Sequence, residues 1–400
     1  MIGIDAIVSA WAPERARVFL RCALVGLRGT GSLEGEPVFE GLTVQFTHLD
    51  SIFGIGPIQS YGFPALDRPR FSGSWTISED QGSVQEWDDE DALVRLSFHS
   101  SVSIADPFRF EMQYSPVVFI KLTNGIPFNE ILERWVLPTL RIGTLCLGKP
   151  QEITALSLRV NVGGTSLGGE FQAFGLGVTQ SPFASSAKEV RSNQSALTAA
   201  GDQVSFLRLL RRWQELENEH HPLLETYGSF LQVKGQHPRA RYLLLIQALE
   251  GLYGHENQHE DEERRARHRE RRQEVLEEIE SCDSLASDHK RFIKKFLMKY
   301  PHGNLDRCLS ESFTSLPGDV TAELAKTPLI QDAVSRHGGD LAVANALRGI
   351  RNDLAHGSKG HPAHELEDVA LILERVARAH LLRLLGCDTK IQQRVLDATT

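Results

Sequence analysis

Near residue 180 of this 400-residue chain the hydrophobic pattern changes character, and that change limits the possible folds more than any other feature. Before it, apolar residues come in short runs rich in Val, Phe, Ile and Leu, at 17–25, 43–47, 93–99, 117–121 and 153–162. Gly29-Thr30-Gly31, Asn124-Gly125 and Gly163-Gly164 lie between them as turn signals. Such runs predict strands. One helix, 128–140 with Trp135, is expected among them. The stretch 181–201 is rich in Ser, Ala, Gln and Asn and reads as a linker or surface loop. Beyond it the spacing is helical: Leu207, Leu210 and Leu216 lie on one face with Trp213. Further helices are predicted at 242–253, 261–280 and 290–300. Another should start at an Asp340 cap and reach Ala355, and a last long one should open at Pro362 and close at Gly386. The expected fold is α+β and multidomain: a β-rich domain over 1–180, a linker over 181–202 and an all-α bundle over 203–400.

Length supports two domains, since one core seldom grows to 400 residues. A net charge of −9 argues against a protein that coats nucleic acid non-specifically, while leaving room for a local basic cleft. Cys22, Cys146, Cys282, Cys308 and Cys387 form no CxxC pair, which fits reduced thiols in the cytosol. The run 18–27 contains Arg21 and is too short to span a bilayer. Glu14, Arg15 and Arg17 before it do not suit a cleaved signal. These readings give a cytoplasmic protein without membrane contact.

The chemistry is concentrated in Arg351-Asn352-Asp353-Leu354-Ala355-His356-Gly357. Arginine offers a fixed charge and a planar fork for phosphate oxygens. Histidine takes and gives protons near neutral pH. Together they suit RNA cleavage without a metal or other cofactor. Val343, Leu347, Ile350 and Leu354 form the core face of the preceding helix, with Arg351 on its flank. In a continuous helix His356 would stand about 140° from Arg351. Gly357, Gly360 and Pro362 are expected to interrupt the helix. A turn would then swing the imidazole back, or a second subunit would bring the groups together. The competing account is structural, because basic residues and a following glycine commonly finish a helix.

Other features have ordinary readings beside functional ones. Glu250 shares a helical face with Gln247 and Gly254; it is either a polar edge or a partner for Arg348 or Arg351 that supports the catalytic arginine. His255-Glu256-Asn257-Gln258-His259 matches H-E-x-x-H, which would make a zinc hydrolase, yet the acidic run that follows reads as a solvated helix start. Lys290, Arg291, Lys294, Lys295 and Lys299 are either an exposed basic face or part of an RNA path. Gly29-Thr30-Gly31 and Gly54-Ile55-Gly56 lack the βαβ setting of a nucleotide loop.

Arg351-Asn352 with His356 resembles the R-x4-6-H signature of the HEPN superfamily, including the polar residue after the arginine. The run 241–250, ending Ala248-Leu249-Glu250, resembles that family's early helix, and 366–386 its last core helix. The resemblance covers most of 203–387. The segments 39–49 and 128–160 resemble the β-rich domain that precedes HEPN in ApeA-type anti-phage proteins. It implies a four-helix bundle and an endoribonuclease active as a homodimer. Arg351, Asn352 and His356 would be catalytic, and the product a 2′,3′-cyclic phosphate. It also implies abortive-infection defence, with the N-terminal half sensing a phage-derived trigger. The alternative within the family is a bundle without nuclease activity that serves dimerisation or nucleotide recognition.

Overall fold

The computed structural model describes residues 2–12, 15–26, 37–62, 76–79, 81–106, 109–160, 169–175, 178, 195–228, 230–231, 235–299, 305–336 and 338–398. The glycines at 29, 31, 163 and 164, and the part of the expected linker over 181–194, lie outside these residues. The chain forms two compact units. The first comprises Met1–Asn218, Phe230–Lys234 and Leu382–Ala398; the second is Glu219–Ser229 and Gly235–Leu381 with the last two residues.

The first unit is built on an antiparallel sheet. Its strands are β1 (Ile2–Ala12), β2 (Arg15–Gly26), β3 (Val38–Phe46), β6 (Gln85–Asp88), β7 (Ala92–Asp106), β8 (Arg109–Pro127), β9 (Ile153–Val160) and β10 (Gly169–Gly175). They lie in the order β1-β2-β10-β9-β3-β8-β7-β6, while β4 (Ile58–Gly62) and β5 (Thr76–Glu79) form a separate pair. Short helix α1 (Leu49–Phe53) follows β3. After β8, α2 (Phe128–Ile131) runs through one π-helical turn (Leu132–Val136) into α3 (Leu137–Leu147). Leu42, Val44, Val94, Leu96, Val118, Ile120, Leu156 and Leu158 are buried, as the period-two pattern of a half-buried sheet requires. A Cβ on Gly143 of α3 would meet the Phe46 ring at 2.5 Å, so the glycine permits a close approach of helix to sheet. Asn124-Gly125 is not a turn: both residues lie inside β8, where the pairing with β3 shifts register between Phe39 and Gly41.

The end of the expected linker is ordered structure. Ser195, Ala196, Leu197 and Ala199 are buried, and α4 (Ala199–Asp202) accepts Arg394 Nη1 at 3.1 Å on Asp202, from α14 (Thr389–Asp397). Helix α5 (Phe206–Asn218), grouped by its period with the C-terminal bundle, belongs to the first unit. The reason lies in its partners. Gln214 Nε2 donates to Arg134 O at 2.6 Å, Arg141 Nη1 to Glu217 Oε1 at 2.9 Å, and Arg211 grips Asp89 beside β6.

The second unit is helical. It contains α6 (Pro238–Glu256), α7 (Gln258–Ser281), α8 (Ser287–Phe296), α9 (Leu305–Thr314), α10 (Val320–Ala325), α11 (Pro328–Ser335), α12 (Val343–His356) and most of α13 (Ala363–Leu384). Its core joins α6, α9, α12 and α13 through buried Tyr242, Ile246, Leu249, Leu309, Phe313, Leu347, Ile350, Leu354, Val369 and Leu373. Val343, expected on the core face, is half-buried. Arg241 pairs with Glu367 and Glu374, and His380 Nε2 lies 2.9 Å from Ser312 O. Helix α12 starts at Val343 with Ala342 as its cap, so Asp340 does not cap it. Among the described residues no helix is long and apolar enough to cross a membrane.

Candidate active site at the end of helix α12

Helix α12 is packed on one side and open on the other. Leu347, Ile350 and Leu354 face the core, whereas Arg348, Gly349, Asn352, Ala355 and His356 are exposed. Two contacts fix its depth in the bundle. Tyr242 Oη donates to Leu347 O at 2.8 Å, and Arg239 Nη2 donates to Leu354 O, one of the last-turn carbonyls that no intrahelical N–H satisfies. Neither residue was picked out from sequence. A basic residue at the start of one helix gives no local sign that it caps another.

The helix stays regular through His356 and ends at Gly357, whose φ of 68° is the left-handed conformation that glycine adopts at least cost. The expected interruption before the histidine is therefore absent. Arg351 and His356 are five residues apart on one helix, about 140° around its axis and about 7.5 Å along it. Asn352 sits between them. Its Oδ1 accepts from Arg351 Nη1 at 3.2 Å, and it precedes His356 by four residues, one turn along the same face.

Arg351 Nη2 also lies 3.8 Å from Glu250 Oε2. Glu250 is half-exposed, so this pair holds the guanidinium at the surface without the cost of a buried charge. Arg348 makes a different contact, its Nη1 donating to Asp306 Oδ1 of α9 at 3.1 Å. Asp353 closes the loop that follows. Ser358 Oγ lies 3.0 Å from Asp353 Oδ1, Ser358 N donates to Asp353 O at 3.1 Å, and His361 Nε2 lies 3.4 Å from Asp353 Oδ2. The His361 side chain is only 2% exposed, so this loop is fastened beside the motif.

The remaining candidates sit elsewhere. Lys290, Arg291, Lys294 and Lys295 belong to α8; Lys294 pairs with Glu280, and Lys290 Nζ donates to Glu280 O at 2.8 Å. His255 and His259 do not share a helix. Asn257 separates α6 from α7, His255 packs against His221 with ring centroids 4.4 Å apart, and His259 lies 3.4 Å from Glu263. A zincin pair needs both imidazoles on one helical face, and this break removes that arrangement. Among the described residues no cluster of three His, Cys, Asp or Glu is placed to hold a metal ion.

Residues 243–391 match the family model described as Apea-like HEPN, from within α6 to within α14. No curated protein and no solved structure matches the chain. Helices α9, α12 and α13, most of α6 and the Arg351–His356 segment lie in that span. Over residues 243–391, less than half of its length, the chain is thus similar to the Apea-like HEPN family.

Proposed function

We propose that this protein is a HEPN endoribonuclease of anti-phage defence, acting as a homodimer with its N-terminal unit as the sensor of a phage-derived trigger. The observation that carries the reading is the row of half-exposed Arg351 with exposed Asn352 and His356 at the end of α12, inside the matched HEPN segment. The ribose 2′-oxygen attacks its own 3′-phosphate, so the nucleophile is already tethered. His356 takes the 2′-OH proton or returns one to the departing 5′-oxygen. Arg351 neutralises the charge building on the non-bridging oxygens. Asn352 orients the guanidinium it already accepts from. One helix points Arg351 and His356 in different directions, so a second copy across a two-fold axis completes the cleft. The bond from phosphorus to the 5′-oxygen breaks, leaving a 2′,3′-cyclic phosphate and a 5′-hydroxyl.

Incubation of wild-type and His356→Ala protein with total RNA in EDTA, followed by end-group mapping, tests the reading. Wild type should yield cyclic phosphate ends, and the variant should lose at least about 100-fold in rate. Linear 3′-hydroxyl ends, or undiminished cutting by the variant, would overturn it. DNA lacks the 2′-hydroxyl and should survive.

A further inference from the structure

The sheet of the first unit has a second face, turned away from its helices, and register assembles a pocket there. Thr43 of β3 pairs with Ser157 on one side and with Phe119 on the other, and Phe119 pairs with Arg95. This row lines a concavity of about 590 Å³, which also includes Ser97, Val117 and Arg159. The size suits a small organic ligand.

Gly41 shapes one edge. It pairs with Arg159 on β9 and with Lys121 on β8, and a Cβ there would press on Ile120 O at 3.1 Å, so the three strands meet closely at this point. The Arg159 guanidinium reaches 5.6 Å from the Phe119 ring centroid; Arg95 approaches the same ring at 5.9 Å from the neighbouring strand. The two arginines differ in one respect. Arg95 is paired with Glu86. Among the described residues no carboxylate comes within ion-pair distance of Arg159, although Glu170 is its cross-strand neighbour. A guanidinium oriented by an aromatic ring, with its fork open, is arranged to take an anion. Hydroxyls of Thr43, Ser97 and Ser157 surround an apolar floor of Val117 and Phe119. Glu86 pairs with Arg95 on one side of the pocket and Glu170 with Arg159 on the other, so an extended polyanion would meet negative charge on both sides.

We propose that this open face binds a nucleoside monophosphate, with its phosphate on Arg159 and its base over Val117 and Phe119 between the serine hydroxyls. The site is built from residues of the first unit and does not depend on the chemistry of Arg351 and His356.

Calorimetric titration of the full-length protein with AMP, GMP, CMP and UMP, and with adenosine and inorganic phosphate as separate probes, tests this. At least one nucleotide should bind saturably with Kd below about 1 mM, and phosphate or adenosine alone at least tenfold more weakly. Arg159→Gln should weaken the nucleotide at least tenfold, and Arg159→Lys, which keeps charge but loses the fork, by less. Arg351→Ala should bind as wild type does. The proposal fails if no nucleotide binds, if phosphate alone binds as well, if Arg159→Gln binds normally while folded by circular dichroism, or if only Arg351→Ala abolishes binding.

Discussion

Arg351 donates to the side chain of its own neighbour, Asn352, with Nη1 3.2 Å from Oδ1. Adjacent residues on a helix point about 100° apart, so this contact requires the guanidinium to fold back along the surface. Glu250, 3.8 Å from Nη2, lies on the guanidinium's other side. The guanidinium is thus oriented by two partners, one on its own helix and one on α6.

If Glu250 positions Arg351, then Glu250→Gln should lower RNA cleavage by about tenfold while leaving the melting temperature nearly unchanged, because the carboxylate is half-exposed. Initial-rate measurements on a fluorogenic RNA check this. Unchanged or faster cleavage would assign Glu250 no positioning role.

The clasp beyond the helix makes a second expectation. Asp353→Ala removes the acceptor of Ser358 Oγ and the carboxylate beside the buried His361. Stability should fall by about 1–2 kcal/mol in urea titration. Amide exchange should speed up from Gly357 to His361 before it does in α13. Uniform exchange across the bundle would show that the clasp is not local.

Gly357→Ala places a Cβ where φ is 68°. No atom lies within 4 Å of that Cβ, so the cost is backbone strain alone, about 1 kcal/mol. Gly349→Ala, on the exposed face of the same helix, should stabilise by about 0.5–1 kcal/mol in the monomer. Denaturant midpoints of the pair should move in opposite directions.

The Arg211 guanidinium grips Asp89 through Nε and Nη2, at 2.8 and 2.9 Å, and holds that carboxyl at about 2. A depressed pKa contributes stability that is fully present above the unfolded value near 4 and is lost as pH falls through about 2. Asp89→Asn should therefore be less stable than wild type at pH 7. The gap should close between about pH 4 and pH 2. A gap independent of pH would exclude the ion pair as its source.

Thiol reactivity should divide the cysteines. Burial pushes Cys308 and Cys387 up to about 12, and Cys146 is buried. Half-exposed Cys282 has a lowered pKa, chiefly through its hydrogen bond with Ser284. Iodoacetamide at about pH 8 should label Cys282 well before these three, as read by peptide mass spectrometry. Comparable labelling of Cys308 in the folded protein would contradict the packing of α9 against α6.

Much of this architecture was visible in local pattern. Period-two apolar runs such as 93–99 became strands because alternate residues have a core to face on one side only. Leu347, Ile350 and Leu354 became a buried stripe because their spacing returns them to one side of a helix. The Arg351–His356 segment stood out because its side-chain chemistry is independent of where the chain goes.

Pairing across distance was not legible. The period of α5 is helical whichever body it joins; its grip on Asp89 and its contact with Arg134 put it on the sheet. Sequence offered Arg348 and Arg351 equally to Glu250, and the crossing of α12 with α9 gave Arg348 to Asp306 instead. The H-E-x-x-H string lost its meaning at one backbone break, Asn257. Arg159 meets Phe119 only because β3, more than a hundred residues before Arg159 in the chain, pairs with both of their strands. Periodicity and residue chemistry are properties of neighbours along the chain. Partners, depth and pocket walls are set by register and helix crossing, where a shift of one residue exchanges every contact.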